Sequence, residues 1–357
     1  MGSRYRRLLP AALAALTLAA LLAGCSRADR ATGDTGGSGG QDKGAAAEVR
    51  LGYFPNVTHA PAIVGVDRGL FTGRLGATKL TTQTFNSGTD EANALLGGSL
   101  DIGFIGSGPA INAFAKSGGT IKVISGAVSG GAQLVVKPDI TTPAQLKGKT
   151  VATPSKGNTQ DVSLKKWLSQ NKLTDQVNVA NLDNPQTFDA FRKGDVDGGW
   201  LPEPWSSRLV VDAGAKVLVD EKSLWPQGRF PTTVVVVRSQ FLAEHPATVK
   251  AVLQGTVDAI DWAGAHPAEA ATAVNDGIEK LTHSKLSQAV LDRAFSGITL
   301  DIDPDSATYS QLAQDSVTAG VVKTAPGLQG FLDLKTLNEL LAGQHRPALD
   351  AAGLGNG

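Results

Sequence analysis

Four short segments of this 357-residue chain set glycine beside small neutral donors where a helical pattern begins. Asn56-Val57-Thr58-His59 follows the apolar run ending at Tyr53, and Ser87-Gly88-Thr89 stands ahead of a second helical stretch. Ser107-Gly108 precedes Pro109, and Gly157-Asn158-Thr159-Gln160 precedes a stretch carrying Leu164, Trp167 and Leu168. A helix start offers backbone N–H groups without partners and a partial positive charge, so it holds an anion without Lys or Arg. Glycine lets the backbone come close, and Ser, Thr, Asn and Gln add donors. The chemistry indicated is reversible capture of a small monoanion. Each segment alone is also an ordinary helix cap, so the inference rests on several of them converging. The candidates are Asn56, His59, Ser87, Ser107, Gly108, Asn158, Thr159 and Gln160.

Aromatic rings near the same loops have two readings, cleft wall or core. Tyr53, whose hydroxyl is a polar handle, and Trp200 join the candidates. Glu203 is the discordant one, a carboxylate where an anion is expected. It can pair with His59, accept from a backbone N–H, meet an amine on a ligand, or sit solvated on the rim.

Little points to bond-breaking chemistry. The sequence has no Gly-x-Ser-x-Gly elbow and no Walker A loop. The histidines at 59, 245, 266, 283 and 345 lack paired metal spacing, and Cys25 is the single cysteine. Asp301-Ile302-Asp303-Pro304-Asp305 resembles part of a calcium loop but lacks the later Gly and terminal Glu, which favours a solvated, proline-containing helix start. No enzyme activity, cofactor or metal is expected.

The elements that must position these residues alternate. Strand-like runs at Val49–Tyr53, Ile121–Ala127, Lys149–Thr153, Lys216–Val219 and Thr232–Val237 are interleaved with helical patterns such as Pro61–Leu70 and Thr159–Gln170. This predicts an α/β architecture with buried, parallel-rich sheets. The last third, Pro246 to Leu341, is mainly helical in pattern. There is also an internal echo. Ala94-Leu95, Gly98, Asp101, Gly103-Phe104 is matched at the same spacing by Ala190-Phe191, Gly194, Asp197, Gly199-Trp200. Two copies are too few for a solenoid, so two similar lobes facing one another are expected.

The start of the chain reads as an address. Arg4, Arg6 and Arg7 precede an apolar run, Leu8–Leu22, shorter than the ~20 residues of a comfortable membrane span. Leu22-Ala23-Gly24-Cys25 resembles the bacterial lipobox, which implies that residues 1–24 are a lipoprotein signal peptide and that Cys25 carries the lipid anchor. Residues 25–47 are rich in Gly, Ala, Ser, Thr and Asp and are expected to be a disordered tether. Removing residues 1–24 takes away three of the 33 basic residues and none of the 33 acidic ones, leaving a near-neutral chain. That argues against a nucleic-acid partner.

Leu51-Gly52-Tyr53-Phe54-Pro55-Asn56-Val57-Thr58-His59-Ala60-Pro61, Gly98–Gly103 with Gly106-Ser107-Gly108-Pro109, Gly157–Asp161, and Trp200-Leu201-Pro202-Glu203-Pro204-Trp205 together resemble the nitrate/sulfonate/taurine-type substrate-binding proteins of ABC importers. The resemblance runs from Val49 to about Leu341. It implies a two-lobed periplasmic-binding-protein type II fold, with doubly wound lobes joined by two hinge strands. Here those would be Ala132–Lys137 and Thr232–Arg238, giving lobe 1 at residues 48–136 and 238–357 and lobe 2 at 137–237. It also implies a monomeric extracytoplasmic receptor, lipid-anchored to the bacterial cell membrane, that delivers an oxyanion (aliphatic sulfonate, taurine or nitrate) to its permease and ATPase. The alternative on the same scaffold is a neutral heterocycle such as a thiamine-precursor pyrimidine.

Overall fold

Runs rich in Val and Ile become the buried central strands, and glycine-containing turns lead from the strand Ile102–Ile105 into the helix Ser107–Ser117 and from the strand Thr150–Thr153 into the helix Thr159–Gln170. The computed structural model describes residues 41–355, so the signal peptide, Cys25 and most of the expected tether lie outside the described residues. The strands are β1 (Glu48–Tyr53), β2 (Lys79–Thr84), β3 (Ile102–Ile105), β4 (Ile121–Gly130), β5 (Ala132–Val136), β6 (Thr150–Thr153), β7 (Asn178–Asn181), β8 (Gly198–Pro202), β9 (Lys216–Asp220), β10 (Pro231–Arg238) and β11 (Ile298–Leu300). The helices up to the second crossing are α1 (Ala60–Asp67), α2 (Leu70–Leu75), α3 (Gly88–Leu96), α4 (Ser107–Ser117), α5 (Thr159–Gln170), α6 (Asn184–Lys193) and α7 (Trp205–Ala213). The rest are α8 (Ser239–Glu244), α9 (Pro246–Ala265), α10 (Pro267–Thr282), α11 (Gln288–Gly297), α12 (Tyr309–Thr318) and α13 (Lys335–Gly343).

Two sheets organise the fold, in the orders β11-β4-β10-β3-β1-β2 and β7-β6-β8-β5-β9. In the first, β1 runs parallel to β2 and β3, while β10 is antiparallel to β3 and β4. In the second, β6 runs parallel to β7 and β8, and β5 is antiparallel to β8 and β9. The run β4-β10-β3-β1-β2 therefore has its counterpart in β9-β5-β8-β6-β7. The echo seen in sequence occupies matching places in the two sheets. Asp101, ahead of β3, accepts from the Arg50 backbone N–H of β1 at 3.0 Å, and Asp197, ahead of β8, accepts from that of Thr150 in β6 at 3.0 Å. A cation closes each corner: Arg50 and Arg238 on Asp101, Lys137 on Asp197. Burial pushes the Asp101 carboxyl up, but the hydrogen bonds from Arg50 and Arg238 outweigh it and hold the group below its usual range.

The two segments expected to cross between lobes each pair within one sheet. β5 belongs to the second sheet and β10 to the first, so neither Ala132–Lys137 nor Thr232–Arg238 is a free-standing hinge strand. The chain passes from the first sheet to the second at Gly130-Gly131, between β4 and β5, and returns through residues 221–230, between β9 and β10. Both crossing glycines have left-handed φ, +75° and +79°, and a Cβ on Gly131 would fall 2.4 Å from Ile298. Only glycine turns that corner without strain.

Each lobe has its own apolar core. The larger joins the first sheet to the helices of the last third, with Leu51, Phe71, Phe104 and Phe331 fully buried. The second sheet carries one cluster on each face, around Trp167 and Trp200 and around Phe188 and Phe191. Each such large apolar side chain contributes roughly 1.5–3 kcal/mol on burial. The described residues begin in contact with the folded body. Lys43 bonds Glu244 through its backbone N–H, Ala46 N–H donates to Thr248 Oγ1, and Ala46 is buried, so the chain is already docked against α8 and α9 before β1. No helix among the described residues is long and apolar enough to cross a membrane.

Candidate functional site

The loops after β1, β3, β6 and β8 meet between the lobes, at the strand ends where open α/β sheets collect ligands. They enclose a cavity of about 30 Å³ lined by Phe54, Asn56, Thr58, His59 and Gly88 from one side and Asn158, Thr159, Gln160 and Pro202 from the other. Gly106, Pro109, Thr232 and Thr233 complete it. No charged side chain lines it.

Asn56, His59, Thr159 and Gln160 are oriented so that their acceptors are spent and their donors are free, whereas Thr232 gives its hydroxyl proton to Gly130 O. The Phe54 backbone N–H donates to His59 Nδ1 at 3.3 Å, which leaves the proton on Nε2. The ring stacks on Phe54 with centroids 4.6 Å apart, and full burial drives its pKa down to about 3, so it is a neutral donor at any physiological pH. Trp205 Nε1 donates to Asn56 Oδ1 at 2.9 Å, freeing the Asn56 NH₂. Asn158 Oδ1 caps α5 by accepting from Asp161 N–H at 2.8 Å, and its NH₂ donates to Gln160 Oε1 at 3.1 Å, which leaves the Gln160 NH₂ free. Thr159 Oγ1 accepts from Gly108 N–H at 3.2 Å, so its own proton can point elsewhere. The Thr233 hydroxyl is buried with no partner. A cavity of neutral donors at the first turn of α5, facing the start of α4, suits an anion.

The lobes are closed on this cavity. Asn112 Nδ2 of α4 reaches Gly157 O at 2.9 Å, and Lys166 of α5 pairs with Asp315 of α12 at 2.7 Å. A Cβ on Gly106 would fall 2.5 Å from Thr159 Oγ1, so contact this close requires glycine there.

Five of the eleven residues singled out from sequence line the cavity: Asn56, His59, Asn158, Thr159 and Gln160. Gly108 supports one of them through its N–H. Ser87 caps α3, accepting from Asp90 N–H at 3.4 Å, and Ser107 is fully buried in the first turn of α4 without lining the cavity. Tyr53 and Trp200 do not line it either. Both are core residues, Tyr53 in the first lobe and Trp200 stacked edge-on against Trp167 with its Nε1–H on Glu221. Inward-facing strand positions bury aromatics whether or not a ligand is near, which is why spacing could not separate the readings. Glu203 does not meet His59. It is 1% exposed, accepts from Ser207 N–H at 3.0 Å and pairs with Arg293 of α11 at 3.3 Å, across the lobe boundary. Burial raises its pKa, with Ser207, Ser206 and Arg293 pulling the other way. Thr58, Thr232, Thr233 and Pro202 were not singled out. A Thr pair opening an apolar strand reads as ordinary strand, and only the tertiary crossing brings it to the cleft.

The family model described as "NMT1-like family" matches residues 42–275, most of the folded chain. The chain belongs to the NMT1-like family. A curated relative of this NMT1-like chain is the taurine-binding periplasmic protein of Escherichia coli K12, 32% identical over 203 residues, 56% of this chain. The chain spans 62% of that relative's length. Among solved structures, the alkanesulfonate-binding protein SsuA from Xanthomonas axonopodis pv. citri bound to MOPS has a TM-score of 0.67 at 21% identity, covering 79% of this chain and 95% of that one. The periplasmic nitrate-binding protein NrtA from Synechocystis PCC 6803 has a TM-score of 0.70 at 15% identity, covering 84% and 90%. The fold is therefore that of periplasmic binding proteins. The lobe pairing and sheet order described above are its substance.

Proposed function

We propose that this chain is the extracytoplasmic solute receptor of an ABC importer, binding a small oxyanion between its lobes and presenting it to a permease. The observation that carries the reading is the interlobe cavity in which Asn56, His59, Thr159 and Gln160 have their acceptors engaged and a neutral donor left over. Such a cavity stabilises a monoanion and gives nothing for a metal or a cation to hold. Among the described residues no group of three or more His, Cys, Asp or Glu is placed to hold a metal ion. Relatives named for taurine, alkanesulfonate and nitrate binding support the substrate class. Their naming as binding proteins supports a receptor rather than an enzyme.

Closure would turn on Gly130-Gly131 and on residues 221–230, with residues 48–130 and 231–355 forming one lobe and 131–230 the other. A ligand contacting both lobes stabilises the closed state, which is the form a permease can recognise. Acylation at Cys25 would hold the receptor at the membrane as a monomer. A lining of neutral donors with no charged side chain favours an oxyanion over a neutral pyrimidine. The direct test is to purify the protein, denature it and weigh what is released by mass spectrometry. A sulfonate or nitrate is the expected species; a neutral heterocycle would replace the reading.

A further inference from the structure

A second cavity, of about 60 Å³, opens beside the first along the same boundary between the lobes. Pro109 lines both, and other lining residues are neighbours in the chain: Thr89 follows Gly88, and Gly157 precedes Asn158. On α4 its wall is Pro109, Asn112 and Lys116, positions three and four apart that share one helix face. Lys156 and Gly157, in the loop after β6, line it from the second lobe.

The contact that closes the lobes also brings these two lysines to one place. Asn112 Nδ2 donates to Gly157 O at 2.9 Å, with Lys116 one turn after Asn112 on α4 and Lys156 next to Gly157 in the chain. Both lysines are exposed, and neither takes part in an ion pair among the described residues. The neighbouring lysines of α5 are committed, Lys165 to Asp161 and Lys166 to Asp315. No carboxylate lines the cavity to balance Lys116 and Lys156. Closure on an empty cleft therefore gathers two like charges, which opposes it, and walls of one sign focus the field along the cleft. A negative group placed there turns the repulsion into attraction.

We propose that this cavity is a distal anion subsite for the far end of the ligand, assembled by Lys116 and Lys156 only when the lobes close. The ligand it selects carries two negative charges: an oxyanion head among the neutral donors of the first cavity, and a carboxylate or second oxyanion towards the lysines. A sulfonate with a carboxylate at its other end has that chemistry. The second charge faces a lysine from each lobe, so it stabilises the closed state beyond what the head alone achieves. This inference rests on the first cavity holding an anionic head, as proposed above.

Isothermal titration of the full protein with ethanesulfonate, sulfoacetate, 3-sulfopropanoate, taurine and nitrate varies the charge at the far end. At least one of the two sulfocarboxylates should bind roughly tenfold tighter than ethanesulfonate, about 1.4 kcal/mol. Taurine, with a cation there, should bind more weakly than ethanesulfonate. Added salt should shrink the sulfocarboxylate advantage, because both lysines are exposed. In the double variant Lys116→Met with Lys156→Met the advantage should vanish, while ethanesulfonate binds as well as before or better, since closure no longer gathers two like charges. Sulfocarboxylates no tighter than ethanesulfonate, or an advantage that the double variant keeps, overturn the proposal. Binding of nitrate alone overturns the subsite and leaves the receptor reading standing; binding of no anion removes both.

Discussion

The two lobes repeat one sheet order, yet the loops after corresponding strands differ in what they do. After β3 the chain turns through Gly106 directly into α4, and its Gly108 N–H bonds Thr159 across the cleft. After β8, the matching strand, it turns through Pro202, Glu203 and Pro204 into α7, and the buried carboxylate is held by Arg293 from the other lobe. Arg293 also reaches Ser207 at 2.7 Å and Gln133 at 2.6 Å, so one side chain ties α11 to three groups of the second lobe. Duplicated geometry has been given unequal chemistry. One loop leaves the cleft open to a guest, while its twin fastens the lobes near the crossing. The loops after β1 and β6 keep the same task, and both bring oriented neutral donors to the cavity.

The largest expected effect comes from putting charge into the donor set. Gln160→Glu keeps the acceptor used by Asn158 but replaces the free NH₂ with a carboxylate oxygen, and should weaken anion binding by over 100-fold, about 2.7 kcal/mol. Titration calorimetry checks this, and wild-type-like affinity would remove α5 from the site. Arg293→Met tests the twin loop. It strands a buried carboxylate, and urea unfolding should show a loss of roughly 2–4 kcal/mol, with the affinity of the closed form little changed. Gly106→Ala should cost about tenfold in affinity with stability near wild type, since its Cβ would collide with Thr159 only when the lobes close.

Buried acids sharpen the comparison through pH. Each lobe encloses a carboxyl whose pKa burial raises: Glu91 in the first, with neither oxygen partnered, and Glu221 in the second, raised to about 7 while accepting from Ser163 and Trp200. A raised folded pKa means stability fully present below the unfolded value near 4.5 and lost as pH climbs through the folded one. Melting temperature should therefore fall between pH 4.5 and about 7. Glu221→Gln should recover a few degrees at pH 8 and none at pH 4.5. Equal shifts at both pH values would show that packing, rather than ionisation, controls this position. His59, with its pKa near 3, adds no pH dependence to binding between pH 5 and 8.

The fold was legible because its signals are local. Val-rich runs, glycine stops and the Asp101/Asp197 echo each mark one strand–turn–helix unit, and two such series imply two lobes. Strand pairing is less local. Ala132–Lys137 and Thr232–Arg238 look alike as short strands, and only pairing shows that each belongs wholly to one sheet. In the site, Asn158 carries a local signal, its cap on α5, whereas His59 carries none beyond its place in the loop after β1. Tyr53 and Trp200 kept two readings because alternation along a strand buries a ring regardless of ligands. Thr232 and Thr233 reach the cavity only through long-range crossing of the chain, which leaves no local pattern.

Titration calorimetry of the intact protein with taurine, an alkanesulfonate, nitrate and a neutral pyrimidine, beside Gln160→Glu, tests the central claim most directly. One-to-one binding of at least one of the anions, flat from pH 5 to 8 and lost in the variant, is the predicted result. Binding of the pyrimidine alone, or anion binding that survives Gln160→Glu, would contradict it.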